Sequence, residues 1–131
     1  MSASIRGRCD AIEECYEFML AYAAQGLSGD ASQDGSSQLR TLLIRADDAL
    51  DGLAVAFREA IAVAQLTPAG PYETFLAVLD RDAAASLAAL RLVLAQPAIS
   101  SQLIDNLNAS IHLRALLTDL FLIDEILHPR V

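Results

Sequence analysis

The segment 101–127 constrains the fold more than any other part of the chain, because its helical periodicity places apolar residues on almost every side. On a helical wheel of about 100° per residue, the apolar residues of its two halves fall on opposite sides. The first set is Leu103, Ile104, Leu107 and Ile111, and the second is Leu113, Leu116, Leu117, Leu120 and Leu127. A helix that is apolar on most sides is buried by several neighbours. The apolar stripe therefore changes face within one predicted helix.

This excess of apolar surface predicts self-association. We expect the helix to pack against its own bundle and, as the simplest further neighbour, against a second copy of the chain. The predicted interface residues are Leu113, Leu116, Leu117, Leu120 and Ile123. The alternative is a central helix that one subunit encloses completely.

A narrow polar line separates the apolar residues of this segment. It contains Asp105, Asn108, His112 and Asp119, with the two aspartates seven residues before and after His112. Such spacings place the side chains on one side of a helix. We interpret His112 as a structural histidine that hydrogen-bonds Asp105 or Asn108, and its titration near neutral pH could tune association.

The remainder of the chain reads as three further amphipathic helices. The four predicted helices span about 5–25, 37–65, 71–95 and 101–127, and the breaks between them contain glycine, proline and serine. The first helix carries Asp10, Glu13, Glu14 and Glu17 on its polar side, which offers a surface to another protein. No strand pattern is present. The sequence therefore predicts an all-α fold, an antiparallel four-helix bundle formed by one domain over residues 1–131.

Composition limits the partners and the compartment. The net charge of −8 disfavours binding to nucleic acid or to anionic lipid. No uncharged apolar run reaches the roughly 20 residues that a membrane span needs, and the first residues lack the apolar core of a signal peptide. We therefore expect a cytoplasmic protein in which Cys9 and Cys15 stay reduced.

One sequence pair suggests a metal site as an alternative function. Ferritin-like bundles hold two metal ions with inward glutamates and a Glu-x-x-His pair on each of two helices. The chain contains one such pair, Glu125 and His128. The pattern is incomplete, so no metal and no other cofactor is predicted, and a ferritin-like metal-binding bundle remains the alternative.

A second alternative concerns His112. A histidine with acidic neighbours on a helix of a small acidic bundle resembles the histidine phosphotransfer domains, in which the imidazole accepts a phosphoryl group. Those domains carry Lys and Gly shortly after the histidine, whereas Leu113, Arg114 and Ala115 follow it here. The resemblance covers size and architecture alone.

Enzymatic activity is not predicted. Nucleophilic catalysis needs a nucleophile, a nearby base and a group that orients the base, and neither histidine is paired in sequence with a serine or cysteine elbow. We therefore predict a non-enzymatic protein that acts through homodimerisation and protein–protein interaction.

Overall fold

A computed structural model describes residues 2–28 and 36–129, and it describes side chains from Ile5 onward. Its secondary structure is entirely helical over these residues. The helices are α1 (Ser2–Ala24), α2 (Ser36–Leu50), α3 (Leu53–Ala64), α4 (Ala69–Leu94), α5 (Ser101–Asn108) and α6 (Ile111–Leu127). The all-α prediction is confirmed. Residues 29–35, in the predicted break between the helices 5–25 and 37–65, lie outside the described residues.

The predicted helix 37–65 is two helices, because the backbone turns at Gly52. This glycine has φ 78°, a left-handed conformation that side chains disfavour and that ends α2. The guanidinium of Arg8 on α1 donates to the carbonyl oxygens of Ala49 at 3.0 Å and Asp51 at 2.6 Å. Those carbonyls lie at the end of α2, where helical partners are missing. Arg40 does the same for α4, donating to the carbonyls of Leu94 and Gln96.

The predicted helix 101–127 is also two helices, which meet at a corner formed by Ala109 and Ser110. The Ser110 hydroxyl accepts a hydrogen bond from the backbone N–H of Leu113, as an N-cap does. Ser100 caps α5 in the same way through the N–H of Leu103. The corner explains why the apolar residues of the two halves fall on opposite sides of a single helical wheel. The chain bends at Ala109 and Ser110, so the two halves belong to two different helices. Each of the two helices buries a stripe of its own.

All six helices contribute to the core: α1 packs mainly against α2 and α5, and α3 and α6 pack mainly against α4. Its most enclosed side chains are Met19, Tyr22, Leu39, Leu43, Leu53, Phe57, Leu76, Leu79, Ile99, Ile104, Leu116 and Leu120. Two polar groups link the end of α1 to the start of α5. The Tyr22 hydroxyl donates to the carbonyl of Ile99, and the Ser101 hydroxyl donates to the carbonyl of Tyr22, each at 2.6 Å. No helix among the described residues has the length and apolarity to span a bilayer.

The contact between α4 and α6, which we call the α4–α6 seam, positions the surfaces discussed below. The Ser86 hydroxyl donates to the carbonyl of His112 at 2.9 Å, near the start of α6. Nearer the other end of α6, Phe75 of α4 and Ile123 line one groove. The two helices therefore run antiparallel, and the first turns of α4 lie beside the last turns of α6.

Candidate functional site

The structure places the five predicted interface residues in the core of their own chain. Leu113, Leu116, Leu117, Leu120 and Ile123 are all buried against other helices of the same molecule. Side chains that their own chain already covers have almost no area left for a second copy. This corrects the placement of the predicted interface, because the helical wheel could not show which apolar face α4 covers.

The apolar surface that α6 does expose lies on its opposite side. Phe121, Leu122 and Ile126 keep 59%, 52% and 50% of their surface accessible, and we call them the α6 ridge. Large apolar side chains that are scattered singly need no explanation, whereas adjacent ones mark a contact surface. These three lie within six residues on the last turns of one helix.

A groove runs beside the ridge, along the end of the α4–α6 seam. It has a volume of about 330 Å³, and we call it the α6 groove. The turn before α4 and the first turns of α4 form one wall, and α6 forms the other. The lining residues are Thr67, Pro68, Pro71, Tyr72, Phe75, Leu122, Ile123 and Ile126. Since almost all of these side chains are apolar, the groove suits an apolar side chain of another molecule.

Asp119 from the predicted polar line lies in the α4–α6 seam, next to a carboxyl that sequence reasoning missed. Its side chain is 9% exposed, and its Oδ2 atom is buried without a hydrogen-bond partner among the described residues. Burial raises the pKa of Asp119 to about 7, and Asp82 of α4 contributes through a hydrogen bond and through charge repulsion. The Asp119 carboxyl therefore changes its charge near neutral pH.

The structure separates the other residues of the polar line. Asp105 and His112 are exposed, whereas Asn108 is 8% exposed and both polar atoms of its amide lack a partner among the described residues. The predicted hydrogen bond from His112 to Asn108 is therefore not formed. Asp105 and Asn108 line an open surface groove with Tyr16 and Arg114, between α1 and the α5–α6 corner.

The predicted metal pair, Glu125 and His128, lies at the end of α6. The Nδ1 atom of His128 lies 3.2 Å from Oδ1 of Asp124, the residue before Glu125. His128 and Asp124 share a crevice of about 80 Å³ with Cys9, Asp10 and other residues of α1. Over residues 2–28 and 36–129, no three His, Cys, Asp or Glu side chains are arranged to hold a metal ion.

The two thiols are buried on the inner side of α1. Cys9 and Cys15 are free cysteines. Burial raises the pKa of each to about 12, and the nearby carboxylates of Asp124 at Cys9 and Glu14 at Cys15 add to the effect. The thiolate is the nucleophilic form of cysteine. These thiols therefore behave as small apolar groups at neutral pH.

Comparison with known proteins gives no direct guide to function: no protein-family model, no curated protein and no solved structure matches the chain. The features that can indicate a function are therefore the surfaces of the molecule itself. Of these, the α6 ridge and the α6 groove form the most apolar surface described above.

Proposed function

We propose that the protein acts by association and forms a homodimer through the α6 ridge and the α6 groove. The observation that carries the proposal is that two exposed residues of the ridge, Leu122 and Ile126, also form a wall of the apolar groove, while Phe121 lies beside the neighbouring crevice against α1. A two-fold symmetric interface uses the same patch on both subunits, so that patch must contain both halves of the contact. In such a dimer, the ridge of each copy would lie in the groove of the other copy.

The exposed side chains supply a driving force for this contact. Full burial of a Leu, Ile or Phe side chain stabilises by about 1.5–3 kcal/mol, and Phe121, Leu122 and Ile126 are each about half exposed. Part of that gain offsets the lost freedom of the two molecules. Residues near the centre of such a patch carry most of the binding energy, and Leu122 and Ile126 belong to both the ridge and the groove.

Two further parts of the proposal concern chemistry and compartment. We propose that the protein is not an enzyme, and the high pKa values of Cys9 and Cys15 support this for the two thiols. We also propose a cytoplasmic location, which two buried and unbridged thiols favour.

The exposed carboxylates of Asp10, Glu14 and Glu17 on α1 support a second contact with a basic protein.

The homodimer is tested by the mass of the native protein at low micromolar concentration, by light scattering after gel filtration. We expect a dimer from the unchanged chain and a monomer from Leu122→Asp or Ile126→Asp, since each charge would be buried without a partner in the contact. Leu92→Asp is the matched control, because Leu92 is 67% exposed but lies near the other end of α4. A monomeric unchanged chain, or a Leu122→Asp variant that remains dimeric, would contradict the proposal.

A second candidate function is phosphoryl transfer through His112, and the exposure of that side chain favours it. The residue lies in the first turn of α6 with its imidazole accessible to solvent, which a phosphoryl acceptor requires. Incubation with acetyl phosphate, followed by mass measurement at neutral pH, tests the idea. A mass gain of one phosphoryl group that is lost in His112→Gln would support it, and the absence of a gain would reject it.

A further inference from the structure

We infer that the groove between α1 and the α5–α6 corner binds a short peptide with free termini and apolar side chains. This groove, which we call the corner groove, has a volume of about 510 Å³. In the complex, Asp105 holds the ammonium group of the peptide, Arg114 holds its carboxylate, and the amide of Asn108 contacts the backbone between them. The inference goes beyond the homodimer, because the corner groove lies near the start of α6, whereas the α6 ridge lies on its last turns.

The amide of Asn108 supplies the first argument for a ligand, because its hydrogen-bonding groups are unused. The residue is 8% exposed, and neither Nδ2 nor Oδ1 has a hydrogen-bond partner among the described residues. Buried polar groups of folded proteins are almost always hydrogen-bonded. Both atoms are covered, so contact with a ligand requires the amide to turn toward the groove that Asn108 lines. Once turned, it offers one donor and one acceptor side by side.

Two unpaired charges of opposite sign line the same groove. Asp105 and Arg114 are exposed, and neither side chain makes a hydrogen bond or an ion pair to another described residue. Each is therefore open to a ligand group of the opposite charge. The net charge of −8 repels an anion, whereas a peptide with a free ammonium group and a free carboxylate is neutral overall. The groove therefore favours a zwitterion.

The α1 wall of the corner groove suits apolar side chains. Leu20 is 48% exposed, and Ala23 and Ala24 follow it by three and four residues. Tyr16 lies one turn before Leu20 and lines the same wall. Residues at these spacings share one side of a helix. The side chains of a peptide can contact this wall while its backbone and termini contact the polar residues of the other wall.

The geometry of the peptide backbone makes a tripeptide the shortest ligand that uses all three polar residues. In an extended chain, the N–H and C=O of one residue point to the same side, as they do where two strands pair. The middle residue of a tripeptide can therefore donate to Oδ1 of Asn108 and accept from Nδ2. A dipeptide has one planar trans peptide bond, whose N–H and C=O point to opposite sides. An extended tripeptide spans about 10 Å.

Calorimetric titration with Ala-Leu-Ala tests the site on the full chain. We expect one peptide to bind per chain. The N-acetylated peptide lacks the ammonium group and the C-terminal amide lacks the carboxylate, so each should bind about tenfold more weakly, as expected for a lost hydrogen bond to a charged group.

Variants of the two charged residues assign each terminus to its partner. Asp105→Asn should bind Ala-Leu-Ala about tenfold more weakly without a further loss for the acetylated peptide, and Arg114→Ala should behave in the same way toward the C-terminal amide. Arg81→Ala is the matched control, because Arg81 is an exposed arginine of α4 outside the groove. Its affinity should equal that of the unchanged chain.

Nuclear magnetic resonance of the Asn108 side-chain amide measures the middle contact. Ala-Leu-Ala should shift this signal, and Asn108→Leu should lose most of the affinity while remaining folded, since it removes the unpartnered groups.

The inference is overturned if Ala-Leu-Ala does not bind at millimolar concentration, or if Asp105→Asn and Arg114→Ala bind it as tightly as Arg81→Ala does. Equal binding of the free and acetylated peptides would also overturn it, because the groove would then accept the C-terminus of a longer chain. Leu122→Asp should bind the peptide normally, so the homodimer and the peptide site fail separately.

Discussion

At the scale of single residues, Asp119 is the side chain whose environment most alters its chemistry. In the folded chain, burial disfavours the ionised carboxylate and raises its pKa to about 7. In the unfolded chain, the pKa has its ordinary value of 3.8. The folded state therefore binds more protons between those two values. The free energy of unfolding should fall as pH rises from about 4 to about 7 and then stay constant with respect to this group.

Asp119→Asn should remove that loss of stability. Since one pH unit of difference between the folded and unfolded pKa corresponds to about 1.4 kcal/mol, we expect the variant to be more stable than the unchanged chain at pH 8 by about 2 to 4 kcal/mol. Urea unfolding at pH 4.5 and pH 8 measures this, with the monomeric Leu122→Asp background used for both proteins. If Asp119→Asn and the unchanged chain differ in stability by the same amount at both pH values, burial of an ionised carboxylate is not the cause of the difference.

The thiols of Cys9 and Cys15 should be inert in the folded protein. With pKa values of about 12, only about one thiol in ten thousand is ionised at pH 8, and both side chains are buried. We expect iodoacetamide to label neither thiol in native buffer and both thiols in urea, as counted by mass spectrometry. Rapid labelling of one thiol in the native protein would identify an accessible nucleophile and contradict the non-enzymatic proposal.

The sequence could identify single polar residues but could not pair them across helices. Asp119 stands out because a carboxylate interrupts an apolar stripe, and the stripe places it at the edge of a buried face. Asp82 has no such signal, since it lies among alanines on α4, and only the antiparallel register with α6 brings it to Asp119. For the same reason, the spacing of Asp105, Asn108 and His112 predicted a shared face that the α5–α6 corner divides.

At the scale of helices, the two missed breaks have different causes. Gly52 was visible as an unfavourable residue within an apolar periodicity, but that periodicity continues across it, so the pattern predicted one helix. The corner at Ala109 and Ser110 has neither glycine nor proline. Sequence alone does not distinguish a serine that caps a helix from a serine inside one. Helices α1 and α4 were located within three residues at each end, because glycine and proline follow or precede them.

Gly52→Ala should destabilise the chain through its backbone. A Cβ at this position would meet only the Arg8 guanidinium at 3.8 Å or more, so the cost comes from the left-handed conformation, at about 1 kcal/mol or more. Gly7→Ala is the matched control, because Gly7 lies inside α1 with open space around it. That variant should gain about 0.5–1 kcal/mol. Thermal unfolding of both variants checks the two signs, and equal shifts would contradict this account of the break.

At the scale of the whole molecule, charge and apolar surface act in opposite directions on association. Each copy carries a formal charge of −8, so two copies repel each other at low ionic strength, whereas the proposed contact through the α6 ridge and groove would be attractive. The sequence predicted that segment 101–127 has apolar surface to spare, because its helical periodicity places apolar residues on almost every side. It could not identify the exposed side, because that depends on how α4 lies against α6.

Added salt should therefore strengthen the homodimer. Between about 0.02 M and about 0.5 M NaCl, the screening length shortens several-fold, and we expect the dissociation constant to fall several-fold as repulsion weakens. Sedimentation at fixed pH measures the change, and Leu122→Asp should stay monomeric throughout. A dimer that weakens with salt would indicate that ion pairs, rather than apolar contacts, hold the two copies together.

The reach of Arg8 and Arg40 to the carbonyl ends of other helices has a consequence for the chemistry of the surface. All nine Lys or Arg positions of the chain are arginines. Arg40 uses Nη1 and Nη2 to contact two carbonyls at once, which the single ammonium of a lysine matches poorly, whereas Arg8 contacts the carbonyls of Ala49 and Asp51 through Nη1. A chain without lysine presents no side-chain amine to acetylating enzymes, to ubiquitin ligases or to amine-reactive cross-linkers. The positive charge of each arginine is therefore permanent at physiological pH.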